Sequence, residues 1–170
     1  DGKTVLSPVH LNGAATAIDK NFLTNAIIRS GYDNLRIDDP LLTRAKGLHP
    51  AQEICAACWL IPRRIIEKIG GFNPLFFHYS EDVNYQYRLF YHHMCIAWAG
   101  GTHVCHDREF RKRQPATYIR VRQELVLRAS NINVSPLKAT LQEIRYGIGV
   151  LHTALAYREW RSIAYFWKAY

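Results

Sequence analysis

The chain has 170 residues, 48% of them apolar and 21% charged, enough to bury a core and too apolar for a disordered or fibrous class. Its net charge of +8 is unevenly spread: Lys plus Arg and Asp plus Glu number 11 and 11 over residues 1–110, against 11 and 3 over residues 111–170. The most motif-like stretch is thus electroneutral, which argues against nucleic acid, whose readers carry their basic residues on the recognition element.

In chain order, Thr4-Val5-Leu6 predicts a strand over 4–8 that Pro8 ends. Asp19 to Arg29 reads as a short helix or extended helical turn with Phe22, Leu23, Ala26 and Ile27 at one-face spacing. Gly31 to His49, rich in Gly, Asp, Asn and Pro, reads as a long surface loop. Gln52 to Ile61 is a short apolar run between prolines and predicts a buried strand. Arg63 to Ile69 predicts a two-turn helix with Ile65, Ile66 and Ile69 on one side, stopped by Gly70-Gly71 in a left-handed cap. Ser80 as N-cap, Glu81 and Asp82 in the first turn, and Val83, Tyr87 and Phe90 at i, i+4, i+7 predict a helix over 81–92. Ile96–Ala99 and His103–Cys105 read as two short strands about a Gly100-Gly101 turn. Past Pro115, residues 116–128, 137–157 and 160–168 have helical periodicity with Arg and Lys between the apolar positions. The class is α/β with a helical tail.

No positively charged segment followed by an apolar core opens the chain, so no signal peptide is expected. The longest uncharged run, Leu89 to Cys105, holds His, Gly and Thr and predicts no membrane-spanning helix. Cys55, Cys58, Cys95 and Cys105 are too few for a disulfide scaffold and read as buried thiols of a reducing compartment, with a cytoplasmic location as the default.

The densest chemistry is the run from Gly70 to Asn84, closing with Arg88. Glu81 and Asp82 at a helix start hold their carboxylates in a fixed direction, which suits a general base; the plainer alternative is two acids balancing a helix dipole. Cys55-x-x-Cys58 with Cys105 and His106 has zinc-like composition, but residues three apart on a strand point to opposite faces. The same alternation lets only one of His103 and His106 reach a given site. Arg88 reads as a structural ion-pair partner of carboxylates.

Four blocks in order, Ala57-Cys58-Trp59-Leu60-Ile61-Pro62-Arg63-Arg64, Ile69-Gly70-Gly71-Phe72, Phe76-Phe77 with Glu81-Asp82-Val83 and Arg88, and His106-Asp107, resemble the second half of family 2 glycosyltransferases of the GT-A fold, rhamnosyltransferase-like members in particular. The resemblance covers about residues 4–110. It implies a partial GT-A-type mixed sheet and transfer of a sugar, rhamnose by likeness, from a nucleotide-diphosphate donor to a glycan or lipid-linked acceptor hydroxyl with inversion. It also implies Asp82 as the base, Glu81 as a residue orienting the acceptor, His106 as a ligand of Mn²⁺ or Mg²⁺ on the donor diphosphate, and Trp59 and Tyr79 flanking the acceptor sugar. His106-Asp107 matches the family's block and favours His106 over His103.

Two positions depart from the family. No Asp-x-Asp motif occurs in the chain, so residues 1–114 read as the acceptor-side and metal-histidine portion of a catalytic domain without its nucleotide-binding half, and residues 115–170 as a basic, aromatic tail. Asn84 stands where many members carry Asp. Arg111-Lys112-Arg113 and the helices bearing Trp160, Tyr165, Phe166, Trp167 and Tyr170 read either as a patch for an anionic surface at the inner face of the cell membrane or as a hairpin packed on the catalytic domain. The competing functional class is a non-catalytic partner- or membrane-binding module.

Overall fold

The computed structural model describes residues 2–32, 42, 45–76, 79–107 and 117–170. Strand β1 (Thr4–Asn12) continues four residues past Pro8. It survives the proline because its pairing with β3 (Cys95–His106) slips there: Pro8 lies opposite Ala99, whereas Val9 lies opposite His103. The residues skipped, Gly100 to Thr102, bulge out of β3, Gly101 at φ 77° and the Thr102 hydroxyl donating to the Ala99 carbonyl at 2.9 Å. The expected pair of short strands is therefore one strand with a bulge. Strand β2 (Leu48–Ala51), inside the expected loop, pairs antiparallel with β3, whereas β1 pairs parallel with it. The sheet is mixed, in the order β1-β3-β2, and Pro50 is tolerated because β2 is an edge. Residues 33–41, 43 and 44 of that loop lie outside the described residues.

Asp19 caps the next element, its Oδ1 accepting the Asn21 and Phe22 N–H groups at 3.0 Å each. A short α1 (Lys20–Phe22) runs on into a wider turn, Leu23–Ile28, in which the Arg29 N–H reaches the Thr24 carbonyl five residues back. Phe22, Ala26 and Ile27 are buried as the periodicity requires, with Val5, Val9, Ile96 and Trp98.

Gln52 to Ile61 forms no strand. It makes one bridge, Leu6 and Leu60 exchanging hydrogen bonds of 3.0 and 2.8 Å, and buries Ile54 while Leu60 and Cys58 stay exposed. Alanine and cysteine at 55–58 have little preference for a pleated surface, and a turn forms at Ala56-Ala57. Helix α2 (Arg63–Ile69) forms as expected but buries Ile65 and leaves Ile66 exposed. Gly70 ends it at φ 78° with an extended ψ of −171°, not in the left-handed helical region.

Helix α3 (Glu81–Tyr91) also forms, with a different inner face. Asn84, Tyr85, Gln86 and Leu89 are buried and Phe90 is exposed, so the 83-87-90 stripe is not the buried one. Two of these buried residues are polar and invisible to an apolar-periodicity reading. Helices α4 (Tyr118–Ala129), α5 (Pro136–Tyr157) and α6 (Arg161–Ala169) match the tail, α4 and α5 capped by the hydroxyls of Thr117 and Ser135. Cys58, Cys95 and Cys105 are exposed and Cys55 is half-buried, contrary to the expected burial.

Contacts divide the chain into two compact units, Asp1–Gly71 with Arg88–Phe110, and Phe72–Tyr87 with Arg111–Tyr170. No helix among the described residues is long and apolar enough to cross a membrane.

Candidate functional site

The two acids lie in the second unit. The chain enters α3 through two consecutive non-glycine residues at positive φ, Tyr79 at 68° and Ser80 at 66°. Such residues cost about 1 kcal/mol or more each and persist where the surroundings hold them. The Ser80 carbonyl accepts the Asn84 N–H at 3.0 Å, so the helix begins with Glu81 and Asp82 in its first turn, where backbone N–H groups favour carboxylates. Asp82 Oδ1 accepts the Val83 N–H at 2.8 Å. Glu81 Oε2 is buried and has no hydrogen-bond partner among the described residues. A buried acceptor of this kind is costly unless a ligand or water satisfies it. Tyr79 is about half exposed at the mouth of this turn. Phe77 and His78 lie outside the described residues.

Polar residues behind the acids hold the turn. Gln86 Nε2 donates to the Asp82 carbonyl at 3.1 Å, and Asn84 Nδ2 donates to Ser130 Oγ on the α4 C-cap at 3.3 Å. Asn133 Nδ2 donates to the Tyr87 carbonyl at 2.8 Å.

His106 and Trp59 lie in the first unit. His106 ends β3 opposite Asn12. Its ring meets His10 edge-on, centroids 5.9 Å apart, and His10 Nε2 lies 3.0 Å from Ser7 Oγ. Beyond Asn12 the chain turns back, Asn12 Oδ1 accepting the Thr16 N–H at 2.8 Å, and Gly13 is pressed against the Asp107 carboxylate: a Cβ there would sit 2.6 Å from Oδ1. His103 is exposed and His106 half-buried, as opposite faces of a strand predict. Trp59 is half-buried on the segment before α2. The sequence reading missed His10, Asn12 and Gly13; the Asn-Gly pair at the end of a strand was the available signal.

The described residues contain no group of three His, Cys, Asp or Glu able to hold a metal ion. One imidazole beside a buried histidine ring does not fit a Mn²⁺ or Mg²⁺ site by itself, nor do the cysteines form a zinc site. Arg88 has a structural role, through carbonyls: its two terminal nitrogens donate to Ile69 O at 2.8 Å and Gly71 O at 2.7 Å, tying down the end of α2.

The second unit also holds a cleft of about 780 Å³ lined by Arg120, Arg128, Gln142, Arg145, Tyr146 and Thr153 among others. Arg128 pairs with Glu124 at 2.6 Å and lies 4.4 Å over the Tyr146 ring. Burial, and secondarily Glu124, pushes the Tyr146 phenol above its ordinary pKa, with Arg128 and Arg120 opposing the rise.

No family model matches the chain, and no curated protein or solved structure matches it.

Proposed function

We propose that this chain is the acceptor-side part of an inverting glycosyltransferase of the GT-A type, rhamnosyltransferase-like, transferring a sugar from a nucleotide-diphosphate donor to a glycan or lipid-linked acceptor. The observation that carries the proposal is the entry to α3. Two positive-φ residues fix the direction of Glu81 and Asp82, and Glu81 Oε2 is buried without a hydrogen-bond partner among the described residues. In this reading an acceptor hydroxyl donates to Glu81 Oε2, which orients it. The Asp82 carboxylate takes the proton as the oxygen attacks the anomeric carbon and the nucleoside diphosphate leaves. The half-exposed ring of Tyr79 offers an apolar face to the acceptor sugar.

His106 is proposed as one ligand of a Mn²⁺ or Mg²⁺ ion that comes with the donor diphosphate. The donor set of the described residues is too small to hold that ion, and no step is routed through it. Proton nuclear magnetic resonance of the linkage made by the native gene product tests the proposal. An anomeric configuration opposite to the donor's is expected, and a retained configuration would overturn it.

A further inference from the structure

We infer that α5 and the aromatic end of the chain dock on an anionic lipid surface, the helix lying along the interface rather than crossing it. Leu137, Leu141, Ile144, Ile148, Leu151 and Leu155 are 48% to 72% exposed. Their spacing alternates four and three, which at 100° per residue confines them to a stripe about 80° wide and about 27 Å long. Among the described residues nothing covers this stripe. The buried residues of α5, Val150 and Ala154, lie on its other side.

Charge selects the occupant. Lys138, Arg145 and His152 each follow a stripe residue and line one edge of it, and residues 111–170 hold 11 Lys and Arg against 3 acids. If a second copy filled the seam, these edge residues would face Thr140, Gly147 and Ala154 in a parallel pair, or each other in an antiparallel one. Neither arrangement offers them an acid, and the second sets like charges together. A bilayer carrying anionic headgroups takes the aliphatic stripe and neutralises its basic edge at once. Tyr157, Trp160, Trp167 and Tyr170, all 57% to 75% exposed, are the residue types that settle at headgroup depth. The mixture of charged and apolar residues keeps α5 from qualifying as a membrane span despite its 22 residues.

The test is co-sedimentation of the native protein with vesicles of phosphatidylcholine alone and of phosphatidylcholine with an equal part of phosphatidylglycerol, at low and high salt. Pelleting with the anionic vesicles only, weakened by salt, is expected. Both stripe positions chosen for substitution are exposed, so Ile144→Asp with Ile148→Asp should abolish pelleting while leaving the helical circular dichroism intact. Lys138→Glu, at a helix start where an acid is tolerated, should weaken binding about tenfold. Asp82→Asn should pellet like the native protein, which separates this inference from the transferase proposal. Absence of pelleting at low salt overturns the inference, as does pelleting that survives the double substitution. A lipid-free dimer that the double substitution dissolves also overturns it, the stripe then being a seam between copies.

Discussion

Replacing Asn84 by aspartate restores the residue many members of the resembled family carry and tests what stands behind the two acids. Asn84 is 3% exposed, and its Nδ2 donates to Ser130 Oγ at 3.3 Å. Asn84→Asp keeps the size, removes that donor and places a carboxylate one turn from Glu81. An uncompensated buried charge costs roughly 3–5 kcal/mol, and a Ser130 hydroxyl turned to donate to it returns about 1 kcal/mol. The expected loss at neutral pH is therefore about 3 kcal/mol. Burial raises the new carboxyl above its unfolded pKa of about 3.9, so the folded state holds its proton longer than the unfolded state does. Variant and native protein should then match in stability below that pH. The deficit should grow by about 1.4 kcal/mol per pH unit above it, until the folded carboxyl ionises. Urea denaturation followed by circular dichroism near pH 5 and pH 7 should show a deficit of about 1.5 rising to about 3 kcal/mol. Equal stability at both values would refute the burial of Asn84 against Ser130.

Three further predictions use the same denaturation assay or a spectroscopic titration. Gly100→Ala should destabilise by about 2 kcal/mol or more, because a Cβ there would lie 2.6 Å from the Ala45 carbonyl carbon, which is backbone, while Gly100 N–H is bonded to Gly47 O at 2.9 Å; a variant as stable as the native chain would contradict that approach. Arg88→Lys should cost about 1–2 kcal/mol, since a single ammonium cannot hold both Ile69 O and Gly71 O in the guanidinium's geometry; an unchanged midpoint would remove the clamp. The Tyr146 phenol is raised in the folded state, so its contribution to stability is present below the ordinary tyrosine pKa and is lost as pH rises through the raised value. Burial raises Tyr32 as well, so ultraviolet titration should show late-ionising tyrosine absorbance that shrinks by one residue in Tyr146→Phe; an unaltered titration would contradict it.

What the sequence disclosed followed from local signals strong enough to act alone. Helices α2 to α6 were legible from apolar residues at helical spacing, from the Gly70-Gly71 stop after α2 and from the acid pair opening α3. Where the reading failed, tertiary structure had overridden a local rule. Pro8 stops a strand unless the partner strand supplies a bulge, and Gly100 to Thr102 supply it from nearly a hundred residues away. β2 carries no apolar alternation because it is a short edge carrying a proline. Apolar counting chose Val83, Tyr87 and Phe90 as the inner face of α3, whereas Asn84 and Gln86 are buried through hydrogen bonds to Ser130 and the Asp82 carbonyl. The carboxylates of the site were legible as residues. Their setting was not, since neither the positive φ of Tyr79 and Ser80 nor the burial of Glu81 Oε2 leaves a mark in a sequence. His10, Asn12 and Gly13 came to His106 through strand pairing, which local periodicity does not encode.

The central claim is that Asp82 is the base of a sugar transfer. The most direct measurement is the rate of nucleoside diphosphate release, dependent on added acceptor, by the native gene product and its Asp82→Asn variant. Asparagine keeps the size of the side chain and removes its basicity, so kcat should fall roughly 10²- to 10⁴-fold with the donor KM little changed. Transfer at the native rate by Asp82→Asn would contradict the account.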